Sequence, residues 1–213
     1  MWETPQSRLI QQLRREAAAG ETVLRALARV PREVFVPEEL RHRAFDDEAL
    51  PIGHGQTISQ PTVVAHMTEA LGLAHESRVL EVGTGSGYQA AVLAEMVAEV
   101  VSVERDAALA ERARRTLEYL RYENVRVVVG DGTLGWPEAA PYDAIIGTAA
   151  SPAIPEELLA QLREGGRLVI PVGGRDDQQL LLVTKDDGGR VRERTLGKVR
   201  FVPLIGARGW PAA

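Results

Sequence analysis

The sequence predicts an α/β protein: a doubly wound, mostly parallel sheet closed by an antiparallel C-terminal strand pair and preceded by a helical extension. Three observations carry this. From residue 78 onward, short continuously apolar strands alternate with helices, the pattern of a parallel sheet covered on both faces. Glycines cluster in the turn after the first of those strands. The last two strands are separated only by Asp186-Asp187-Gly188-Gly189-Arg190, a hairpin turn and not a helix.

Each element follows in order. Leu9, Leu13 and Ala17, then Val23, Leu24 and Leu27, recur at helical spacing. Gly20 interrupts them, so two short helices are expected, the second stopped by Pro31. Residues 34–45 (VFVPEELRHRAF) read as a short turn of structure running into an irregular acidic stretch, DDEAL. Residues 51–61, PIGHGQTISQP, read as a loop held between two prolines. Pro61 to Gly72 is a helix with proline in its first turn and Val64, Met67 and Leu71 on one face.

Beyond it, RVLEV is a buried strand, GYQAAVLAEM a helix and VVSVER a strand. DAALAERARRTLEYL is a helix with Asp106 at its start; VRVVVGDG and YDAIIGTAA are strands. PEELLAQL is a helix with Pro155 in its first turn, and strands over 166–173, 178–187 and roughly 192–206 complete the set. No repeat or linker divides the chain. One domain over 1–213 is expected, with 1–60 as helical extension and active-site lid loop and 61–213 as core.

Composition narrows the function classes. Of 213 residues, 45% are hydrophobic and 26% charged, ordinary for a globular chain. A net charge of −5 gives no basic field, so neither nucleic acid nor a membrane is an expected partner. The absence of cysteine excludes disulfides, thiolate catalysis and cysteine-bound zinc. No apolar run approaches the roughly 18 residues of a membrane span. The polar, acid-containing start MWETPQSRLIQQLRR is not a secretory signal, so a cytoplasmic location is expected. Lys185 and Lys198 are the two lysines among 25 basic residues, a bias with no functional reading.

The chemistry concentrates around LEVGTGSGYQAA, with Gly83, Gly85 and Gly87 between a strand and a helix, where doubly wound sheets bind ligands. A dinucleotide fingerprint counted from Gly83 needs glycine at position 88, which is Tyr88. Counted from Gly85 it ends on Ala90, a permitted variant, but starts two residues late. Glu81 stands two residues before the first glycine, where a carboxylate suits a cationic ligand better than a diphosphate. Glu104 ends the second strand at the position of a ribose-binding acid, and Asp131-Gly132 follows the third. Glu104 or Asp131 alone reads equally well as an ordinary strand-end residue, and the glycines alone as a tight turn. Together they fit one adenosyl ligand lying across neighbouring strand tips.

The pattern Glu-x-Gly-x-Gly-x-Gly resembles motif I of the class I S-adenosylmethionine-dependent methyltransferases, which have a Rossmann-like core. More specifically, PIGHGQTISQP, EVGTGSGYQAAVLA, GDG, PYDAII, GGRLVIPVG and FVPL form an ordered series over roughly residues 30 to 206. This series resembles the protein-L-isoaspartate O-methyltransferase family. The resemblance implies S-adenosylmethionine as cofactor, no metal, isoaspartyl peptides and proteins as substrates, and action on D-aspartyl residues as a further possibility; a monomer is expected, although the sequence does not fix the oligomeric state.

Carried over by position, it marks Ser59 as catalytic. Gln56, Thr57 and Ile58 would cover the cofactor, with Glu81, Gly83, Thr84, Gly85, Ser86, Gly87, Glu104, Arg105, Asp131 and Gly132 around it. In the family the acid at Asp131 reaches the adenine amino group. Thr57, Ser59, Thr148, Ala149, Val202, Pro203 and Leu204 would face the substrate, with Thr57, Ser59 and Thr148 as donors to its carboxylate.

Several of these residues carry a plainer reading beside the functional one. Ser59 suits a helix N-cap. Val202 and Leu204 suit core packing equally well. His54 reads as a structural or lid histidine, because an aspartyl-type carboxylate with a pKa of about 4 is already ionised and needs no base. The sequence departs from the family pattern at Thr62, where an aromatic residue or histidine is common, and at Gly147. Trp210 reads as a cap on the core. Three other functions stay open at this level: another class I methyltransferase acting on a metabolite or nucleic acid, a nicotinamide oxidoreductase, and a non-catalytic binding module.

Overall fold

A computed structural model of the chain describes residues 4–17 and 19–212; the first three residues of the polar N-terminal stretch lie outside them. Helix α1 (Pro5–Glu16) begins where Thr4 accepts a hydrogen bond from the Ser7 amide, and it buries Leu9 and Leu13. Helix α2 (Glu21–Arg29) buries Val23, Leu24, Ala26 and Leu27. Gly20 separates the two helices, as the broken apolar period predicts. Two short 3₁₀ turns, Arg32–Phe35 and Glu38–Arg43, carry the chain to the hairpin β1 (Leu50–Gly53) and β2 (Gln56–Ile58).

That hairpin corrects the expectation of a loop. Leu50 pairs with Ile58 and Pro51 with Thr57. Leu50, Ile52 and Ile58 are buried, so an alternating strand face was present but shortened by Gly53, Gly55 and the polar residues between them. Helix α3 (Pro61–Leu71) buries Val64, Met67 and Leu71 and stops at Gly72 in the left-handed conformation.

The core then winds through β3 (Arg78–Val82), α4 (Tyr88–Ala94), β4 (Glu99–Glu104), α5 (Ala107–Tyr119), β5 (Val125–Val129), β6 (Tyr142–Gly147), α6 (Glu156–Gln161), β7 (Leu162–Gly173), β8 (Gln178–Lys185) and β9 (Val191–Val199). Pro155 stands at the cap of α6, one residue earlier than expected. The strand order is β5-β4-β3-β6-β7-β8-β9. The first five are parallel. Successive strands run outward to one edge from β3 and then restart on its other side with β6, which makes the β3/β6 boundary the switch point of the sheet.

The antiparallel end is wider than the expected pair. β8 runs antiparallel to β7 as well as to β9, because the β7–β8 connection is also a hairpin. One apolar cluster fills each face of the sheet. Leu80, Val82, Ile145 and Ile170 lie on one side, and Val79, Val100, Ala144 and Val169 join the N-terminal helices on the other. Gly147 is explained by this packing, since a Cβ there would sit 2.7 Å from Cγ1 of Ile170. The outer edge strand β9 places Arg192, Glu193 and Arg194 in succession, exposed on both of its faces, and its pairing with β8 is broken by a register shift at Leu180/Leu181.

Candidate active site

The site lies at the carboxyl ends of β3, β4 and β6, under the hairpin. The turn after β3 needs its glycines: Gly83, Gly85 and Gly87 have φ of 100°, 54° and 88°, in the left-handed region where a side chain is strained. A Cβ on Gly83 would also run into the Thr148 hydroxyl.

Glu81 is the chemical centre of this turn. It is fully buried within an apolar strand. Its Oε2 accepts from Ser102, its partner in register on β4, and the Thr84 hydroxyl lies 2.5 Å from that of Ser102. Its other oxygen, Oε1, is buried with no hydrogen-bond partner. Burial pushes the Glu81 carboxyl up to about 8; the Ser102 hydrogen bond opposes this and the charge of Glu104 adds to it. Glu81 thus brings a buried, unpartnered carboxyl oxygen to the wall of the inner cavity, where a bound cation would favour its ionised form. Ser102 was not singled out in the sequence, although a lone polar residue in VVSVE was a readable signal.

Glu104 is also buried. Its Oε2 accepts from the Gly85 amide at 2.9 Å and its Oε1 from the Asp106 amide at 2.9 Å. A carboxylate offers about four lone-pair sites, so both oxygens keep acceptor capacity toward a ligand hydroxyl.

The third acid is placed differently. Asp131 Oδ1 accepts from the amide and hydroxyl of Thr133 at 2.9 and 2.6 Å, and Oδ2 accepts from the Ala207 amide at 2.7 Å. Burial pushes its carboxyl up, but the Ala207 amide and Thr133 outweigh that and hold it below the ordinary aspartate value. Asp131 thus ties the C-terminal segment to the end of β5, and its neighbour Gly132, not Asp131 itself, is among the residues lining the cavity. A Cβ on Gly132 would lie 2.6 Å from Cγ1 of Val82.

Three cavities meet here. An inner one of about 60 Å³ runs from Glu81 and the glycine turn to Gln56, Thr57, Ile58 and Ser59 of the hairpin, with Ser86, Tyr88, Thr148, Ala149 and Val202 also in its walls. A second, about 90 Å³, holds Arg105, Gly132, Pro203 and Leu204, and shares Gln56, Gly83, Glu104 and Ala149 with the first. An outer groove of about 440 Å³ opens from Thr57, Ser59, Thr148 and Val202 toward Phe201 and the β7–β8 turn. Each of the two inner cavities is smaller than the roughly 300 Å³ of a typical small-molecule site.

Pro203 and Leu204, expected on the substrate side, line the second cavity and not the outer groove. The cause is the C-terminal segment pairing beside Ala150, where the Leu204 amide donates to the Ala150 carbonyl and the Ala150 amide to that of Val202, both at 2.8 Å. Trp210 folds back on this segment through its amide to the Leu204 carbonyl. Thr148 is corrected as a carboxylate donor. Its one hydroxyl proton is turned to backbone carbonyls, with Gly83 O at 2.5 Å and Val82 O at 3.0 Å, although the residue still forms part of the wall.

Ser59 is not the helix cap. Gln60 occupies that position and makes no side-chain cap bond, while Asp47 reaches across to the Thr62 amide. The hydroxyl-bearing residue is left to the inner cavity and the groove, both of which it lines. His54 serves the lid: its Nδ1 lies 2.8 Å from Asp106 Oδ2 at the start of α5, and Arg112 of α5 donates to the Ile52 carbonyl at 2.7 Å.

Comparison with known proteins gives a consistent result. Residues 4–209 match the family model described as protein-L-isoaspartate(D-aspartate) O-methyltransferase. A protein-L-isoaspartate O-methyltransferase of Dictyoglomus thermophilum is 53% identical over 209 residues, covering 98% of this chain and 94% of that one. One from Methanoculleus marisnigri is 55% identical over 199 residues, 93% and 90% of the two chains. Among solved structures, a protein-L-isoaspartate O-methyltransferase superposes with a TM-score of 0.88 at 33% identity, over 96% of this chain and 67% of that one. A Plasmodium falciparum structure described as a putative protein-L-isoaspartate O-methyltransferase in complex with S-adenosyl-L-homocysteine gives 0.84 at 27% identity, over 95% and 99%.

Proposed function

From the premise that this chain belongs to the protein-L-isoaspartate(D-aspartate) O-methyltransferase family, we propose that it transfers a methyl group from S-adenosylmethionine to the free carboxylate of isoaspartyl residues in peptides and proteins. The observation that carries this reading is one continuous cavity wall. It joins the orphaned Glu81 carboxylate and the glycine turn to Ser59, and Ser59 also faces the outer groove.

Glu81 Oε1 would hold the cofactor's cationic amino-acid end, Glu104 its ribose, and Gln56 to Ile58 would cover it. Arg105, Gly132, Pro203 and Leu204 would border its adenosyl part in the second cavity. Bound S-adenosylmethionine supplies a sulfonium methyl electrophilic enough to be attacked by an ionised carboxylate: the oxygen–carbon bond forms as the carbon–sulfur bond breaks, and the neutral thioether of S-adenosylhomocysteine leaves. The substrate carboxyl, with a pKa of about 4, arrives ionised at neutral pH, so the chain needs no general base. Its task is orientation at the roughly 3–3.5 Å of a near-attack pair and exclusion of water. Ser59 Oγ would donate to the carboxylate and orient it beside two acids that would otherwise repel it. The groove leading outward from Val202 would take the flanking peptide.

We read the enzyme further as a single-domain cytoplasmic monomer, with no metal and no nucleic-acid or membrane partner, and D-aspartyl residues as a secondary substrate. Labelled methyl should pass to an isoaspartyl peptide and not to its normal aspartyl twin, as a base-labile ester. Equal labelling of both peptides would refute the substrate assignment.

A further inference from the structure

Asp47 lies in the stretch that the sequence left irregular, and it organises the segment that follows Ser59. Its Oδ1 accepts from the Thr62 amide at 2.8 Å; its Oδ2 accepts from the Thr62 hydroxyl at 2.6 Å and from Gln60 Nε2 at 3.1 Å. A helix start leaves amides without partners, and a cap residue normally supplies one. Here the cap position supplies none, and the acceptor comes from 15 residues upstream.

The stretch around Asp47 is itself clamped from below. Arg32, 1% exposed, donates through Nε to the Ala44 carbonyl at 2.8 Å and through Nη2 to that of Glu48 at 3.2 Å. Its guanidinium lies 4.9 Å from the centre of the Tyr88 ring, and Tyr88 is a wall of the inner cavity. A continuous run of contacts thus links the cavity wall, Arg32, residues 44–48 and the residues flanking Ser59.

Ser59 is held from two sides. Ile58 before it is fixed by pairing with Leu50. Gln60 and Thr62 after it are fixed by Asp47. Given the reading of the site as a carboxyl methyltransferase, we propose that Asp47 is a positioning residue that aims Ser59 at the substrate carboxylate through Gln60 and Thr62. Thr62, the departure from the family pattern, becomes intelligible: its hydroxyl gives Asp47 a second bond at the same residue.

The test uses Asp47→Ala, Asp47→Asn and Thr62→Val in the full chain. Asp47→Ala should lower kcat toward an isoaspartyl peptide about ten-fold or more, while the Kd for S-adenosylhomocysteine changes less than about two-fold. Asparagine keeps one acceptor for the Thr62 amide and should recover part of the loss. Thr62→Val should fall between, and the Asp47→Ala/Thr62→Val double variant should be no worse than Asp47→Ala alone. Parallel loss of kcat, cofactor affinity and Tm would overturn the proposal and make Asp47 merely structural; so would an unchanged kcat. Hydrogen exchange at residues 59–63 must quicken in Asp47→Ala whatever the substrate, and unchanged exchange there overturns the proposal independently. A wild-type enzyme inactive on isoaspartyl peptides would refute the functional reading instead, with exchange still deciding the role of Asp47. Should the alanine variant not fold, Asp47→Asn and Thr62→Val carry the same comparison.

Discussion

The inner and outer walls of the active-site cavity are built by different means. The inner wall is the tips of β3, β4 and β6: backbone held by parallel-sheet hydrogen bonds, with Glu81 and Glu104 buried in it. The outer wall is the hairpin of residues 50–58, a short two-stranded ladder seated by Leu50, Ile52 and Ile58 and joined to its surroundings by side chains: His54 to Asp106, Arg112 to the Ile52 carbonyl, and Asp47 just beyond it. A wall made of sheet backbone can hold a desolvated charge in place. A two-stranded hairpin outside the main sheet carries no buried acid, and its contribution is alignment. Damage to the first should therefore read out as cofactor affinity and pH dependence, and damage to the second as turnover.

The sharpest way to break this comparison is Glu81→Gln. The variant should bind S-adenosylhomocysteine about 10- to 100-fold more weakly, the loss of a hydrogen bond to a charged group. It should also change the pH dependence of the ligand-free protein. Glu81 has its folded value raised to about 8 from an ordinary 4.5, so the folded state keeps a proton that the unfolded state gives up. Its contribution to stability is fully present below about 4.5 and is lost as pH rises through about 8. Glutamine does not titrate, so Tm of Glu81→Gln should gain on the wild type steadily between pH 5 and 8. A constant gap across that window would mean Glu81 ionises normally and the inner wall holds no strained charge.

On the outer wall, Ser59→Ala should lower kcat by about ten-fold and leave the Kd for S-adenosylhomocysteine within about two-fold. Matched losses would place Ser59 in the scaffold. The smallest effect is expected from His54→Ala. The His54–Asp106 pair is 46% and 34% exposed at its two side chains, a range where ion pairs contribute little. Thermal unfolding should shift by no more than about 3 °C. The Michaelis constant for peptide should rise by a few-fold at most. A loss of turnover as large as that of Ser59→Ala would show that the lid hangs mainly from this one tether.

The same division explains what could be read from the sequence. The inner wall was legible because its signals are local. Strands buried on both faces are continuously apolar, left-handed turns require glycine, and a glutamate inside RVLEV has few innocent explanations. The outer wall was less so. A hairpin of four- and three-residue strands has too few side chains to display its alternation. Asp47 acts on Thr62, Asp131 on Ala207 and Thr148 on Gly83, across distances that no periodicity records. Motif resemblance grouped Gln56, Thr57, Ile58 and Ser59, and all four line the inner cavity. It could not foresee that the hydroxyl proton of Thr148 and both oxygens of Asp131 would be engaged by backbone, or that Pro203 and Leu204 would turn to the second cavity, since those outcomes depend on where the C-terminal segment docks.

The three-stranded antiparallel end of the sheet bears on the company such an enzyme keeps. A peptide or protein substrate with unpaired backbone could add to an exposed strand instead of entering the groove. An open sheet margin is the natural partner for it. Along β9 the consecutive charges of Arg192, Glu193 and Arg194 point to both sides, and the shifted register bends the rim away from a straight template. The margin is thereby a poor template for a further strand, and the sheet ends at β9.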